Sequence, residues 1–264
     1  MNYDGRVILA AHRGDRKRYP ENTVPAFLSA IELGADMIET DIRMTRDKEL
    51  VIIHDASPLR TTGTEGIIGD MTLAEVKKLD AAWQFSPEMS NVRIPTVEEF
   101  IELILPSGIQ VNWEIKDYPE DRGDAFAFET TDKLLDKIHK YGLADRSMLN
   151  SFSDRILERV YSASGGELCI HGQGIGTCSR SKDISAVERE RLYDWCCLYP
   201  NIKGDRPLDY PENFAYCNER GILPCVCVPD EIESYKQYIE LGCRMFTSND
   251  IVAADRILRE LGER

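Results

Sequence analysis

Short β-like runs alternate with amphipathic helical stretches along almost the whole chain. That alternation points to an α/β fold with a parallel sheet, because parallel strands need long crossover connections, usually helices. Strands are expected at Arg6–Ala11, Met37–Ile42, Ile109–Ile115, Ser147–Ser151, Glu167–His171, Leu223–Val228 and Arg244–Thr247, with a weaker one near Cys197–Ile202. The first helix puts Val24, Phe27, Leu28 and Ile31 on one stripe, with Asn22 or Thr23 as cap, Pro25 in the first turn and Gly34 as stop. Further helices are expected at Thr96–Leu105, Ala125–Lys140, Ser153–Ser162, Ser185–Cys196, Glu212–Arg220, Glu231–Leu241 and Ile251–Leu261. Eight strands and eight helices close most simply as a single (β/α)8 TIM-type barrel over residues 1–264.

One segment breaks the rhythm. Between Ile42 and Leu50 there is room only for a turn around Arg46-Asp47-Lys48, far too little for a crossover helix. Met37–Met44 and Glu49–His54 therefore read as a hairpin, the second barrel strand running past the mouth and doubling back. Measured outward from a turn at Asp47-Lys48, Asp41 and His54 are equally distant, and pairing would set them side by side. Residues 55–93 hold turn residues and one short helix, Thr72–Leu79, and read as a small insertion over the mouth.

Composition narrows the function classes. The formal net charge of −14 argues against nucleic acid as a partner, since phosphate neutralisation needs a basic face. No apolar run reaches the ~18 residues of a membrane span, and Val7–Ala11 is too short for a signal-peptide core. A cytoplasmic protein that does not insert into membranes is the expectation, and the sequence leaves room for a homodimer. All eight cysteines lie in the second half, with no C-x2-C pair or Cys/His set at zinc spacing, so they read as reduced and mostly packed.

The chemistry concentrates on a few inward-facing positions. Glu39 and Asp41, two apart on a strand, project to one face, while Ile38, Thr40 and Ile42 take the other. The parity repeats downstream: Val111, Trp113 and Ile115 pack against helices, leaving Asn112, Glu114 and Lys116 pointing into the barrel. Charged groups there are costly unless paired or ligating a metal, and carboxylates without soft ligands suit a hard cation such as Mg²⁺ or Ca²⁺. His12 and His54, both at strand ends facing the same mouth, form a candidate acid/base pair. Arg13, beside His12, suits a phosphate oxygen. His171, in Cys-Ile-His-Gly-Gln-Gly at a strand end, reads as a rim histidine or a substrate contact.

Several of these residues fall in a longer ordered pattern. His12-Arg13-Gly14, Pro20-Glu21-Asn22-Thr23, Glu39-x-Asp41, Thr45-x-Asp47, His54-Asp55, Asp70-x-Thr72, Ile94-Pro95-Thr96 and Glu114-x-Lys116 together resemble the glycerophosphodiester phosphodiesterase family. The resemblance implies a TIM-type barrel that hydrolyses glycerophosphodiesters to glycerol 3-phosphate and an alcohol, with a divalent cation. It implies Glu39, Asp41 and Glu114 as metal ligands, His12 and His54 as catalytic acid and base, and Arg13 and Lys116 on the phosphate of a small-molecule phosphodiester. The second half departs from the pattern: Val226-Cys227-Val228-Pro229-Asp230 stands where the family usually has Trp-Thr-Val-Asn. Two other readings share these features, a phospholipase D-like lyase whose product is a cyclic phosphate and a non-catalytic barrel that binds phosphorylated ligands.

Overall fold

In the computed structural model, which describes residues 1, 3–86, 88–175, 191–199, 211–227 and 232–264, the strands form one closed wall. They are β1 (Ile8–His12), β2 (Met37–Met44), β3 (Leu50–Ile52), β4 (Gln110–Ile115), β5 (Ser147–Asn150), β6 (Cys169–Gln173), β7 (Trp195–Leu198), β8 (Leu223–Cys227) and β9 (Met245–Ser248). Eight of them pair in parallel in the order β1-β2-β4-β5-β6-β7-β8-β9, and β9 returns to β1. This is the expected (β/α)8 barrel. The remaining strand, β3, pairs antiparallel with the outer end of β2, as a hairpin extension.

Side-chain parity sorts the strands into two cores. Ile38, Ile42, Val111, Trp113, Ile115, Leu149 and Ile170 face outward and pack with Phe27, Phe100 and Leu134 from the helices. Ile8, Ala10, Met37, Met148, Cys169, Trp195, Cys225 and Met245 face inward and fill the lumen floor. A filled floor leaves the upper lumen, at the C-terminal strand ends, as the place where polar side chains can converge. The insertion, residues 55–93, packs Ile68, Val76 and Leu79 in a small cluster with Val51 and Ile53 of the hairpin and with Ile94. Its short helix, Leu73–Val76, starts at a capping box in which Thr72 and Glu75 satisfy each other's backbone N–H groups.

The structure corrects three expectations. First, the hairpin register differs by one residue: Ile42 pairs with Ile52 and Met44 with Leu50, so Ile53 rather than His54 lies opposite Asp41. The loop is centred on Asp47, closed by the Thr45 N–H to the Glu49 carbonyl at 2.9 Å, and Lys48 takes a left-handed φ of 68°. A three-residue loop with one left-handed residue is a common hairpin closure that a symmetric two-residue turn does not anticipate. Second, the helix expected at Ser185–Cys196 does not reach its end, because Trp195 and Cys196 belong to β7; residues 185–190 and 200–202 lie outside the described residues.

Third, β6 runs two residues beyond His171, which places that histidine mid-strand and 2% exposed rather than on a rim. A Cβ at Gly172 would come within 2.1 Å of the Tyr193 ring, so glycine is what lets the strand pass. Of the two expected caps of the first helix, Val24–Glu32, Thr23 takes the N-cap position, without a side-chain capping bond, and Asn22 lies just outside the helix.

Candidate active site

A cavity of about 660 Å³ opens at the C-terminal ends of the strands, bordered by His12, Arg13, Glu39, His54, Glu114 and Lys116 among others. The loop after β1 shapes one side of it. Arg13 sits at φ 62° and Gly14 at φ 77°, and a Cβ on Gly14 would lie 2.8 Å from the backbone of Ala26. This turn aims the Arg13 backbone N–H at Glu39 and brings the guanidinium between Glu21 at 2.9 Å and Asp41 at 3.3 Å.

Each histidine is held by one ring nitrogen. His12 Nδ1 lies 2.6 Å from Asn249 Oδ1, and His54 Nδ1 lies 2.6 Å from Asp55 Oδ1. Both partners accept, so Nδ1 carries the proton in each ring and Nε2 keeps its lone pair. Burial, with the charges of Arg13 and Arg16, pushes the His12 imidazolium down to about 3. Burial also lowers His54, against the opposing pull of Asp41. Both imidazoles are therefore neutral near pH 7 in the cation-free site.

Glu39, Asp41 and Glu114 are all buried, and one carboxylate oxygen from each lies within 4.8 Å of the others. The pairing of Asp41 with Glu114 on the neighbouring strand produces this cluster. Burial and the charges of Asp41 and Glu114 push the Glu39 carboxyl well above its ordinary range. Asp41 goes the other way: burial opposes its charge, but Lys116, Arg13, His54 and a hydrogen bond from Asn22 hold it below the usual carboxylate range. Lys116 donates to Glu114 and lies 3.3 Å from Asp41, an ion pair without hydrogen-bond geometry. Although burial disfavours its charge, Glu114 and Asp41 raise the Lys116 ammonium above its usual range.

The cluster fits a hard divalent cation. Glu39 Oε1 and Asp41 Oδ1 are buried without a hydrogen-bond partner among the described residues. Crowded negative charge, all-oxygen donors and unused lone pairs are what such a cation neutralises.

Similarity to known proteins agrees with this geometry. The profile of the glycerophosphoryl diester phosphodiesterase family matches residues 12–189. A glycerophosphodiester phosphodiesterase of Caldanaerobacter subterraneus subsp. tengcongensis is 43% identical over 260 residues, spanning 97% of this chain and 100% of that one. The chain belongs to the glycerophosphoryl diester phosphodiesterase family. Among solved structures, an Oleispira antarctica phosphodiesterase in complex with the product sn-glycerol-3-phosphate superposes with a TM-score of 0.81. It is 22% identical, over 96% of this chain and 97% of that one. A glycerophosphodiester phosphodiesterase from Agrobacterium tumefaciens gives a TM-score of 0.75 at 21% identity, over 94% of this chain and 99% of that one. These two likenesses bear on the barrel. No helix among the described residues is long and apolar enough to cross a membrane.

In this glycerophosphoryl diester phosphodiesterase family member, all the residues expected at the site border the cavity except Asp41, which lies just behind it. Sequence reasoning missed the residues that hold them. Asn22, one of the two expected caps, takes φ 58° and donates to Asp41 Oδ2 at 2.7 Å, while the Thr40 hydroxyl donates to Asn22 Oδ1 at 3.1 Å. Arg60, from the insertion, bonds both Asp55 and Glu21 and so ties the His54 partner to the loop after β1. Asn249, in the turn after β9, orients His12. His171 borders the cavity, but its ring nitrogens are engaged by Asn112 and Cys225 within the wall.

Proposed function

We propose that this chain hydrolyses glycerophosphodiesters to glycerol 3-phosphate and an alcohol, using two histidines and one divalent cation, Mg²⁺ or Ca²⁺. The observation that carries this reading is the convergence of two neutral, Nδ1-anchored histidines and a buried carboxylate triad on one cavity. Family membership and the product held by the Oleispira antarctica relative support it.

A phosphodiester resists hydrolysis because its negative charge repels the nucleophile and the alkoxide leaves poorly. Glu39, Asp41 and Glu114 would hold the cation, which would stabilise the charge that builds on the phosphate in the transition state. Lys116 and Arg13 are fixed cations at the same wall and hold the phosphate there. With Nδ1 committed to Asn249 or Asp55, the Nε2 of one histidine takes the proton of the attacking hydroxyl. The other histidine takes a proton from solvent at Nε2 before the step and gives it to the leaving alkoxide oxygen, and the first histidine returns its proton to solvent afterwards. The attacker is water, or the neighbouring glycerol hydroxyl, which gives a cyclic phosphate that water then opens.

Phosphorus NMR of glycerophosphocholine, -ethanolamine, -glycerol and -inositol turning over with Mg²⁺ or Ca²⁺ tests the reading. Glycerol 3-phosphate as end product supports it and ranks the head groups. A cyclic phosphate that persists would instead make the protein a lyase. Tight binding without turnover would make it a phospho-ligand-binding barrel.

A further inference from the structure

The opposite wall of the lumen carries a second donor cluster, and it is of a different kind. His171 on β6, Cys197 on β7 and Cys225 on β8 are buried, and one donor atom from each lies within 4.8 Å of the others. His171 Nε2 is 3.1 Å from Cys225 Sγ. Cys197 and Cys225 are direct partners in the β7–β8 register, so both thiols face inward at one level. We propose that His171, Cys197 and Cys225 form a second cation site that takes a thiophilic d¹⁰ ion, zinc first, as a clamp across β6, β7 and β8.

The dimensions fit. Zinc–sulfur bonds of about 2.3 Å and zinc–nitrogen bonds of about 2.0–2.1 Å in a tetrahedron separate sulfurs by about 3.8 Å and sulfur from nitrogen by about 3.6 Å. The observed 3.1 Å contact and the 4.8 Å limit bracket both values. The donor types also exclude the ions suited to the carboxylate triad, because thiolate and imidazole select zinc or copper(I) over magnesium and calcium. On binding, both thiols release their protons to solvent, and two thiolates with a neutral imidazole exactly balance a divalent charge. A buried site of zero net charge avoids the penalty of an unpaired ion.

Asn112 supplies the supporting contact. Its side-chain amide lies 3.0 Å from His171 Nδ1, and its Oδ1 is buried without a partner among the described residues. Turning the amide over keeps the 3.0 Å bond, now from Nδ1–H to Oδ1, and presents the Nε2 lone pair to the two sulfurs. That is the usual arrangement of a metal-bound histidine, whose second nitrogen donates to an oxygen. His171 and Cys197 border the cavity, so a water from it would complete the coordination without adding charge.

The test uses the full chain grown with zinc and purified without chelator. X-ray absorption at the zinc edge should show sulfur at about 2.3 Å together with nitrogen at about 2.0–2.1 Å. After stripping, cobalt(II) should give a thiolate-to-cobalt charge-transfer band. The band should vanish in Cys197→Ser and in Cys225→Ser, and persist in Cys169→Ser and Glu114→Gln. Asn112→Ala should weaken zinc by ~10–100-fold. An oxygen-only zinc environment, no cobalt band in the wild type, a Cys197–Cys225 disulfide in place of metal, or a band that survives both serine variants would each overturn the proposal. The absorption measurement decides the matter even if a serine variant fails to fold.

Discussion

The lumen has two walls built by one rule and furnished with opposite chemistry. On β1, β2 and β4, with Lys116 just past β4, the inward positions carry His12, Glu39, Asp41, Glu114 and Lys116, a largely charged set whose candidate metal donors are carboxylate oxygens. On β6, β7 and β8 they carry His171, Cys197 and Cys225, a neutral nitrogen–sulfur set buried in the wall. Strand parity alone decides that these residues face inward, and donor type decides what they can hold. The comparison separates a wall suited to turnover from one suited to holding strands together.

The sharpest way to break that division is to remove the histidines of the first wall. His12→Ala and His54→Ala are each expected to lower kcat for glycerophosphocholine by ~10²–10⁴-fold while the circular dichroism spectrum stays native. Near-normal turnover in either variant would take that residue out of the mechanism. On the second wall the expected effect is on stability. Gly172→Ala forces a methyl against the Tyr193 ring, whose hydroxyl is hydrogen bonded to Asp154 at 3.0 Å, so the ring cannot simply swing away. A loss of ~1–3 kcal/mol in urea unfolding is expected from such overpacking, and an unchanged midpoint would contradict the close contact.

The smallest effect concerns the rim of the first wall. Burial raises Glu21, but Arg60, Arg13 and Arg16 outweigh it and hold the carboxyl at about 2. A folded value depressed below the ordinary 4.5 means stability present above that pH and lost as pH falls from 4.5 through about 2. The thermal-midpoint gap between wild type and Glu21→Gln should therefore close across that window. A gap that stays constant down to pH 2 would show that Glu21 does not gain from its arginines.

How much of this was legible in the sequence follows the same division. The first wall could be read because its signals are local: Glu39 and Asp41 share a face by simple alternation, and Glu114 and Lys116 repeat it. Two of its partners were not legible, because Asn22 acts through a left-handed backbone and Asn249 reaches His12 across the closed barrel, geometry that periodicity does not encode. The hairpin register slipped by one residue for a similar reason, the conformation of Lys48. The second wall was invisible. Zinc motifs are recognised by close spacing, whereas His171, Cys197 and Cys225 come from three strands and meet only through barrel order. The closure itself was legible throughout, since it depends on the count of alternating elements rather than on their boundaries.

The account rests most heavily on the carboxylate triad as the seat of metal-dependent turnover. Its most direct test is glycerol 3-phosphate release from glycerophosphocholine by EDTA-stripped protein, wild type beside Glu114→Gln, as Mg²⁺ or Ca²⁺ is returned. The expected result is a silent stripped enzyme that recovers with either ion alone, and a variant that stays on the order of 10³-fold or more below it, since a bound metal contributes several kcal/mol to such a transition state. Full turnover by protein shown to be metal-free, or a Glu114→Gln variant that matches wild type, would contradict it.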